Sequence, residues 1–228
     1  MTHTYLVTGA SRGIGLEFAR ALSARGDRVI AAVRDPAGAT TLAALGPSVR
    51  IVALDVADPL SIAGLADRIG PTPIDVLINN AGIASRASKL LAQLDAEEIA
   101  HVLMVNAVAP ILVARAVLPN LRAAGRRTIV QITSQLGSIA NNTGGSSYGY
   151  RASKAALNQL NRSLASELRP DGFACLAIHP GWVKTDMGGT DADLTVEDSV
   201  SNMLRVIDGA TPAQSGAFLS YDGTPLPW

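Results

Sequence analysis

Cysteine and histidine are scarce in this sequence, which has one cysteine and three histidines among its 228 residues. A single thiol cannot form an internal disulfide, and Cys175 lies within the apolar segment 173–178, so we expect it in a buried strand. His3 and His101 have no cysteine or acidic companions at metal-ligand spacing. The sequence therefore predicts neither a disulfide-linked scaffold nor a zinc site.

An excess of charge of either sign is also lacking, because 19 Lys and Arg residues balance 19 Asp and Glu residues. No basic stripe indicates a nucleic-acid or membrane partner. The chain enters an apolar segment without the charged leader of a signal sequence, and no apolar run reaches the ~18 residues needed to cross a bilayer. We therefore expect a soluble, cytoplasmic protein that acts on a small molecule.

Short apolar segments alternate with helical segments along the whole chain, whose length suits one domain with a sizeable core. Nearly continuous hydrophobicity is typical of parallel strands that are covered on both faces. The predicted strands are 5–7, 29–33, 49–54, 76–78, 128–132, 175–178 and 218–220, and the predicted helices include 14–24, 61–69, 97–124, 147–168 and 196–207. The alternation predicts an α/β fold, a single doubly wound domain with a mostly or fully parallel sheet of seven strands.

Three glycines follow the first predicted strand at the start of a helix, in the pattern Gly-x-x-x-Gly-x-Gly formed by Gly9, Gly13 and Gly15. A backbone without Cβ atoms can turn tightly and approach a pyrophosphate, whose charge is favoured by the free amides and the positive dipole end of the helix. Glycines also serve ordinary tight turns. The strand-turn-helix context favours a dinucleotide site.

Tyr150 and Lys154 are one helical turn apart, which places both side chains on the same face of a predicted helix. A fixed ammonium beside a phenol lowers the phenol pKa toward the range of efficient acid and base catalysis. Such a pair is more commonly a half-buried ring beside a solvated charge. Here the accompanying tetrapeptide 79–82, Asn106 and Ser134 favour catalysis.

In this order, these elements resemble the short-chain dehydrogenase/reductase family, and the resemblance covers essentially the whole chain. The matching segments are 8–15, 55–56, 79–82, Asn106, Ser134, 150–154 and 180–181. Segments 137–145, 179–189 and 221–228 are similar to the subgroup of Sniffer-like carbonyl reductases and C-signal proteins. The resemblance implies a Rossmann-type domain with a cofactor-binding part at about 1–133 and a catalytic part at about 134–228.

The resemblance implies a catalytic role for four residues. Ser134 would hydrogen-bond the substrate carbonyl oxygen, and Tyr150 would donate a proton to it. Lys154 would lower the pKa of Tyr150 and bind the nicotinamide ribose, while Asn106 would hold a water in a proton relay toward Lys154. Together these roles imply hydride transfer between a nicotinamide cofactor and a carbonyl or alcohol.

The resemblance also implies cofactor contacts at the carboxyl ends of the strands. The implied residues are Gly9, Ser11, Arg12, Gly13, Ile14, Gly15, Arg34, Asp55, Val56, Asn79, Ala81, Gly82, Tyr150, Lys154, Pro180, Gly181, Val183 and Thr185. Asp55 is expected to bind the adenine amino group, and Asn79 to lie near adenine or ribose and stabilise the sheet. A substrate lid is expected over 182–194, with Trp182 and Met187 as its walls.

The end of the second predicted strand decides between NADP and NAD, because an acid there binds the ribose hydroxyl of NAD whereas an arginine pairs with the extra phosphate of NADP. By resemblance the NAD-selecting acid would align with Val33, and Arg34 follows it, which favours NADP. Asp35 is either the ribose acid of an NAD site or a turn residue before Pro36. Arg12 is a second candidate phosphate contact. We predict NADP as the preferred cofactor, with NAD as the alternative.

These features predict an NADP(H)-dependent oxidoreductase acting on a small to medium carbonyl or alcohol, with Tyr150 as general acid and base. The alternative is a dinucleotide-binding signalling protein of the C-signal type, in which turnover is incidental. An epimerase or dehydratase of the extended branch is disfavoured, because the chain lacks the additional C-terminal substrate region. Helices 97–124 and 147–168 resemble the family's dimer-forming helices, which predicts a homodimer or homotetramer, with a monomer as the alternative.

Overall fold

Seven parallel strands form one sheet in the computed structural model, which describes residues 2–85 and 89–228. The strands are β1 (Thr4–Thr8), β2 (Arg28–Val33), β3 (Val49–Ala53), β4 (Val76–Asn79), β5 (Thr128–Ile132), β6 (Ala174–His179) and β7 (Phe218–Ser220). Their spatial order is β3-β2-β1-β4-β5-β6-β7, so the direction of winding reverses between β1 and β4 and leaves a crevice at their carboxyl ends. The predicted doubly wound, parallel, seven-stranded sheet is confirmed.

Helices cover both faces of the sheet. They are α1 (Gly13–Ala24), α2 (Thr40–Ala43), α3 (Pro59–Ala63), α4 (Leu65–Ile69), α5 (Ala96–Leu103), α6 (Ala109–Ala116), α7 (Leu118–Arg122), α8 (Tyr148–Glu167) and α9 (Val196–Asp208). On one face, α1 and α9 bury Phe18 and Met203 against the strands. On the other face, α3, α6 and α7 bury Ile62, Val113 and Leu121. Because both faces are covered, the strands are mostly apolar, which made them recognisable in the sequence.

The segment predicted as one helix over 97–124 is instead three helices and a π-helical turn. The π-helix spans Met104–Val108 between α5 and α6, and Val117 separates α6 from α7. Pro110 has no N–H to offer the carbonyl four residues before it, so the regular α-helical pattern cannot continue through this point. Pro119, in the first turn of α7, is suited to a helix start for the same reason.

The segment predicted as a helix over 61–69 also differs from the structure, which divides it into α3 and α4 at Gly64. The first of these begins at Pro59, and Asp58 caps it by accepting a hydrogen bond from the amide of Leu60 at 2.9 Å. Helix α2 was not predicted, because its four residues are too short to show a periodic pattern.

One helical stretch has the length and composition of a membrane span. Ala96–Ala116 contains 21 residues, with a mean hydropathy of 1.8 in its most apolar part. The expectation that no segment is apolar enough is therefore wrong by this measure. Val102, Val105 and Val113 of this stretch are nevertheless buried inside the protein, which is typical of a core helix in a doubly wound fold.

Candidate active site

A cleft of about 510 Å³ opens at the carboxyl ends of the strands, where the cofactor was expected. The predicted site residues that line it are Gly9, Ser11, Arg12, Gly13, Ile14, Arg34, Asp55, Val56, Ala81, Gly82, Tyr150, Lys154, Pro180 and Thr185. The predicted residues that lie outside its lining are Gly15, Asn79, Asn106, Ser134, Gly181 and Val183. The lining residues that the sequence analysis missed include Asn80, Thr133, Lys184 and Asp186. The cleft thus joins the glycine loop to the first turn of α8.

Glycine is required between β1 and α1 because backbone atoms pack closely there. A Cβ atom on Gly15 would overlap the carbonyl oxygen of Gly9 and lie 2.5 Å from Nδ2 of Asn80. Gly9 has a φ of 65°, in the left-handed region, and its own Cβ would lie 2.9 Å from Cα of Ala81. The loop therefore presents bare backbone to the cleft, as binding of a pyrophosphate requires.

The amino-terminal end of α1 also faces the cleft. Its N-cap residue, Arg12, has extended backbone and, within the described ranges, no side chain caps this helix end. The first amides of a helix have no partners inside the helix, so they are available to an anion. Gly13 begins α1 and lines the cleft. This end of the helix fits the phosphates of a dinucleotide.

Two adjacent asparagines at the end of β4 have different partners. Asn80 Nδ2 donates to the carbonyl oxygens of Thr8 at 3.0 Å and Gly9 at 3.2 Å, which holds the glycine loop against β4. Asn79 Nδ2 instead donates to the carbonyl oxygen of Pro110 at 3.0 Å and to Gln131 Oε1 at 3.1 Å. The sheet-stabilising role expected of Asn79 fits these contacts, whereas a place in the cleft wall beside the cofactor does not.

Asp55 lies after β3 and lines the cleft. Its Oδ1 accepts a hydrogen bond from the amide of Ala57 at 2.9 Å, which fixes the carboxylate above the turn. The next helix is capped by Asp58 and not by Asp55. One oxygen of Asp55 is thereby oriented, and the carboxylate remains at the cleft surface for a donor such as an exocyclic amine.

The predicted catalytic side chains meet where β5 approaches α8. Ser134 follows β5, and its Oγ accepts a hydrogen bond from the amide of Leu136 at 3.1 Å, so its proton can be donated elsewhere. Tyr150 lies in the first turn of α8, one turn before Lys154. The Lys154 Nζ donates to the carbonyl oxygen of Ile132 at 2.9 Å and lies 5.8 Å from the centroid of the Tyr150 ring. One small region therefore holds a hydroxyl, a phenol and an ammonium.

Burial dominates the protonation of this cluster. It raises the pKa of Tyr150, and the hydrogen bond with Ser134 opposes that rise only in part. It lowers the pKa of Lys154 to about 8. The expected lowering of the Tyr150 pKa by Lys154 is thus wrong for this structure, because the ammonium is bonded to Ile132 rather than to the phenol. A phenol that keeps its proton is the form needed in a general acid.

Asn106 lies in the π-helical turn and anchors the chain that follows β4. Its Oδ1 accepts from the Ile83 amide at 2.8 Å, and its Nδ2 donates to the Ile83 carbonyl at 2.9 Å and to Ser153 Oγ at 3.1 Å. A Cβ atom on Gly82 would lie 3.2 Å from Asn106 Oδ1 and 3.7 Å from Lys154 Nζ. Asn106 therefore lies close to Lys154, but its side chain is engaged with backbone behind the cleft.

Two contacts that the sequence analysis missed fix the turn that carries Lys154. Thr133 Oγ1 donates to Asn158 Oδ1 at 2.8 Å, which ties α8 to the end of β5. Gly137 packs against the same turn, since a Cβ there would lie 2.8 Å from the carbonyl carbon of Lys154. The spacing of Gly137 after Ser134 was a visible signal for a close approach, whereas nothing in the sequence pairs Thr133 with Asn158.

Replacing Gly137 by alanine should destabilise the protein, because the added methyl meets the backbone of Lys154, which cannot rotate away. We expect the free energy of unfolding to fall by about 1 to 3 kcal/mol, the usual cost of overpacking. Gly144→Ala is the control, since within the described residues a Cβ at Gly144 has no neighbour within 4 Å. Urea unfolding followed by circular dichroism measures both variants. A Gly137→Ala protein as stable as the wild type would contradict the packing described here.

The turn after β2 separates the two charged residues that were considered for cofactor choice. Asp35 Oδ1 accepts from the amides of Ala37 and Gly38, each at 3.1 Å, so its carboxylate closes its own turn. Arg34 is exposed and lines the cleft, whereas Asp35 does not. This geometry fits the interpretation of Asp35 as a turn residue and leaves Arg34 facing the cofactor region.

The expected lid over 182–194 is a compact loop whose two ends are held together. Leu194 donates its amide to the carbonyl of Trp182 at 3.0 Å and accepts from the amide of Lys184 at 2.9 Å. Met187 lines the cleft as expected, but Trp182 does not, because its Nε1 donates to the carbonyl of Gly188 at 2.8 Å within the loop. The lid thus contributes Lys184, Thr185, Asp186 and Met187 to the lining of the cleft.

Comparisons with known proteins agree with this geometry. The family model described as short chain dehydrogenase matches residues 3–194. The C-signal of Myxococcus xanthus is 50% identical over 156 residues, which are 68% of this chain and 93% of that protein.

Two solved structures are similar over the whole of this chain. The carbonyl reductase Sniffer of D. melanogaster has a TM-score of 0.94 and 35% identity, with 100% of that chain covered. The NADPH-bound carbonyl reductase from chicken fatty liver has a TM-score of 0.92 and 39% identity, with 99% of that chain covered. The fold, the cleft and these relatives lead to one conclusion: the chain belongs to the short-chain dehydrogenase family and is an oxidoreductase.

Proposed function

We propose that this protein is an NADP(H)-dependent carbonyl reductase or alcohol dehydrogenase for a small to medium, fairly apolar substrate. The observation that carries the proposal is that Tyr150 and Lys154 line the same cleft as the glycine loop, with Ser134 hydrogen-bonded to Tyr150. Similarity to two solved carbonyl reductases supports the same reaction class. The cofactor-binding part is proposed at about 1–133 and the catalytic part at about 134–228.

In the proposed reduction, side chains of this protein orient the carbonyl and deliver a proton to its oxygen. Ser134 donates a hydrogen bond to that oxygen, and Tyr150 keeps its phenolic proton until it is transferred there, since burial raises its pKa. When bound, the nicotinamide supplies the hydride. Lys154 is proposed to bind the nicotinamide ribose. Asn106 is proposed to hold a water in a proton relay toward Lys154.

NADP is the proposed cofactor because Arg34 faces the cleft while the neighbouring acid, Asp35, is bonded to its own turn. A guanidinium forms several charge-assisted hydrogen bonds with the 2′-phosphate of NADP. NAD has a neutral hydroxyl at this position, so the guanidinium finds no anion there. The chicken reductase that resembles this chain has NADPH bound. NAD is the alternative cofactor.

A dinucleotide-binding signalling protein is the second candidate, which the 50% identity to the C-signal favours. In that case the cleft would bind NADP, and turnover would be incidental. The orientation of Ser134 and Tyr150 toward one another is what favours an enzyme, because binding alone needs neither a phenol with a raised pKa nor a hydroxyl beside it.

A screen of NADPH oxidation against ketones, aldehydes and quinones, repeated with NADH, tests the proposal. We expect turnover of at least one carbonyl class, and faster turnover with NADPH. NADPH binding without turnover of any carbonyl would favour the signalling protein. If fluorescence titration detects binding of neither cofactor, both candidates are wrong.

Self-association and cytoplasmic location remain predictions. Helices α5, α6, α7 and α8 are the proposed surfaces for a homodimer or homotetramer. The other proposed partner is the small-molecule substrate, and neither nucleic acid nor membrane is proposed. Analytical ultracentrifugation at several protein concentrations measures the assembly. A single species with the mass of one chain at all concentrations would contradict it.

A further inference from the structure

Arg12 and Asp186 form an ion pair across the mouth of the cleft. Nη1 of Arg12 lies 2.5 Å from Oδ2 of Asp186, and the two side chains are 72% and 79% exposed. Arg12 belongs to the glycine loop and Asp186 to the lid, so the pair connects these two parts of the cleft lining. A dinucleotide bound in the cleft would therefore lie next to this ion pair.

Asp186 is the only acid paired with a cation at this mouth in the part of the chain that the structure describes. Arg34 and Lys184 also line the cleft. Within residues 2–85 and 89–228, neither has a carboxylate oxygen within 4.0 Å of its charged nitrogens. Arg34 and Lys184 are therefore available to an anion, whereas Arg12 is already paired with the carboxylate of Asp186.

We propose that Asp186 is a specificity-determining residue, which competes with the 2′-phosphate of NADP for Arg12. A phosphate takes over guanidinium donors that a carboxylate holds, because both anions bind the same planar set of N–H groups. Once displaced, the Asp186 carboxylate is repelled by the phosphate it faces. NAD carries no phosphate at this position, so it leaves the pair intact. Asp186 therefore lowers the affinity for NADP selectively.

The same exchange releases one of the contacts between the lid and the glycine loop. Apart from the ion pair, the lid approaches this loop through Thr185, whose Cγ2 would lie 3.6 Å from a Cβ atom on Gly13. That contact involves no charge and does not depend on the cofactor phosphate. When NADP is bound, the lid is thus held to the glycine loop less strongly at Asp186 than when NAD is bound.

The size of the effect follows from the exposure of the pair. Ion pairs between exposed side chains contribute little, so removing the carboxylate should tighten phosphate binding about two- to fivefold. Salt screens exposed charges, and the difference between variant and wild type should shrink as ionic strength rises. Both properties can be measured without turnover.

Asp186→Asn tests the inference, with adenosine 2′,5′-bisphosphate and 5′-AMP as probes that differ only in the 2′-phosphate. Isothermal titration calorimetry should show about two- to fivefold tighter binding of the bisphosphate to the variant and unchanged binding of AMP. Asp191→Asn is the matched control, because Asp191 is an exposed lid acid that accepts a hydrogen bond from Thr190 rather than facing Arg12. It should leave both affinities unchanged.

Arg12→Ala supplies the second arm. In that background Asp186→Asn should have no effect on the bisphosphate, since the two substitutions remove the same interaction. If Asp186→Asn binds both probes more tightly by the same factor, Arg12 contacts the 5′-phosphate and the inference is wrong. The inference is also wrong if Asp186→Asn binds the bisphosphate more weakly than the wild type does, or equally tightly.

The inference rests on the proposed NADP site, and the wild-type protein separates the two failures. If wild type binds AMP as tightly as the bisphosphate, the NADP preference itself is wrong. If wild type prefers the bisphosphate and Asp186→Asn does not alter this preference, only the role of Asp186 is wrong.

Discussion

Replacing Tyr150 by phenylalanine should lower the rate of carbonyl reduction by about 10²- to 10⁴-fold while NADPH binding is retained. The substitution removes the phenolic proton donor but keeps the ring that packs beside Lys154. It leaves the glycine loop and the adenine end of the cleft untouched, so the dissociation constant for NADPH should be close to that of the wild type. Steady-state kinetics with a carbonyl from the screen and fluorescence titration with NADPH measure the two quantities.

Tyr148→Phe is the matched control for this substitution. Tyr148 begins the same helix but is exposed, does not line the cleft and has no lysine four residues later. We expect its kinetics to equal those of the wild type. A Tyr150→Phe protein with near wild-type turnover would remove Tyr150 from the mechanism, and equal losses in both variants would indicate a disturbed helix instead of a lost proton donor.

Replacing Arg34 by alanine should shrink the preference for NADPH over NADH by roughly 10- to 150-fold, the range of one charge-assisted hydrogen bond. Arg34 faces the cleft, and no carboxylate oxygen of the described residues lies within 4.0 Å of its charged nitrogens, so its guanidinium is available to the 2′-phosphate. NADH has no anion there and should bind the variant almost as it binds the wild type. Dissociation constants for both cofactors measure the change.

Arg28→Ala is the control, because Arg28 is an exposed arginine at the opposite end of the same strand. It should change neither affinity. A wild type that prefers NADH, or an Arg34→Ala protein that loses affinity for both cofactors equally, would make Asp35 the ribose acid and this protein an NAD enzyme. Asp35 would then have to leave the amides of Ala37 and Gly38.

The strands and the glycine loop were predictable because each depends on a local pattern. The seven apolar segments correspond to the seven strands, since burial on both faces leaves no polar alternation to obscure them. The segment 97–124 was wrongly predicted as one continuous helix. Pro110 and Pro119 lie inside this segment and were a signal that it is interrupted. The prediction of one helix followed the length and hydropathy of the segment. In the structure, the helix is interrupted near the two prolines, which lack the amide hydrogen that a continuous helix needs.

Side-chain directions inside the site were not predictable, because they depend on residues that are distant in the sequence. Asn79 and Asn80 are identical neighbours, and alternation along a strand sends them to different sides. Asn80 faces the glycine loop and donates to the carbonyl of Thr8, whereas Asn79 donates to the side chain of Gln131. Asp186 was likewise invisible as a partner of Arg12, which lies 174 residues earlier.

The position of β4 in the middle of the sheet has a consequence for how the chain is made. β1, β2, β3 and β4 can pair as soon as they leave the ribosome, but β4 has no second neighbour until β5, about 50 residues later, has been synthesised. At the usual rate of about 5 to 20 residues per second, one apolar strand edge stays open for roughly 3 to 10 seconds. Open edges of this kind recruit strands from other chains. Newly made chains thus expose the open edge of β4 before the half that carries Ser134 and Tyr150 exists.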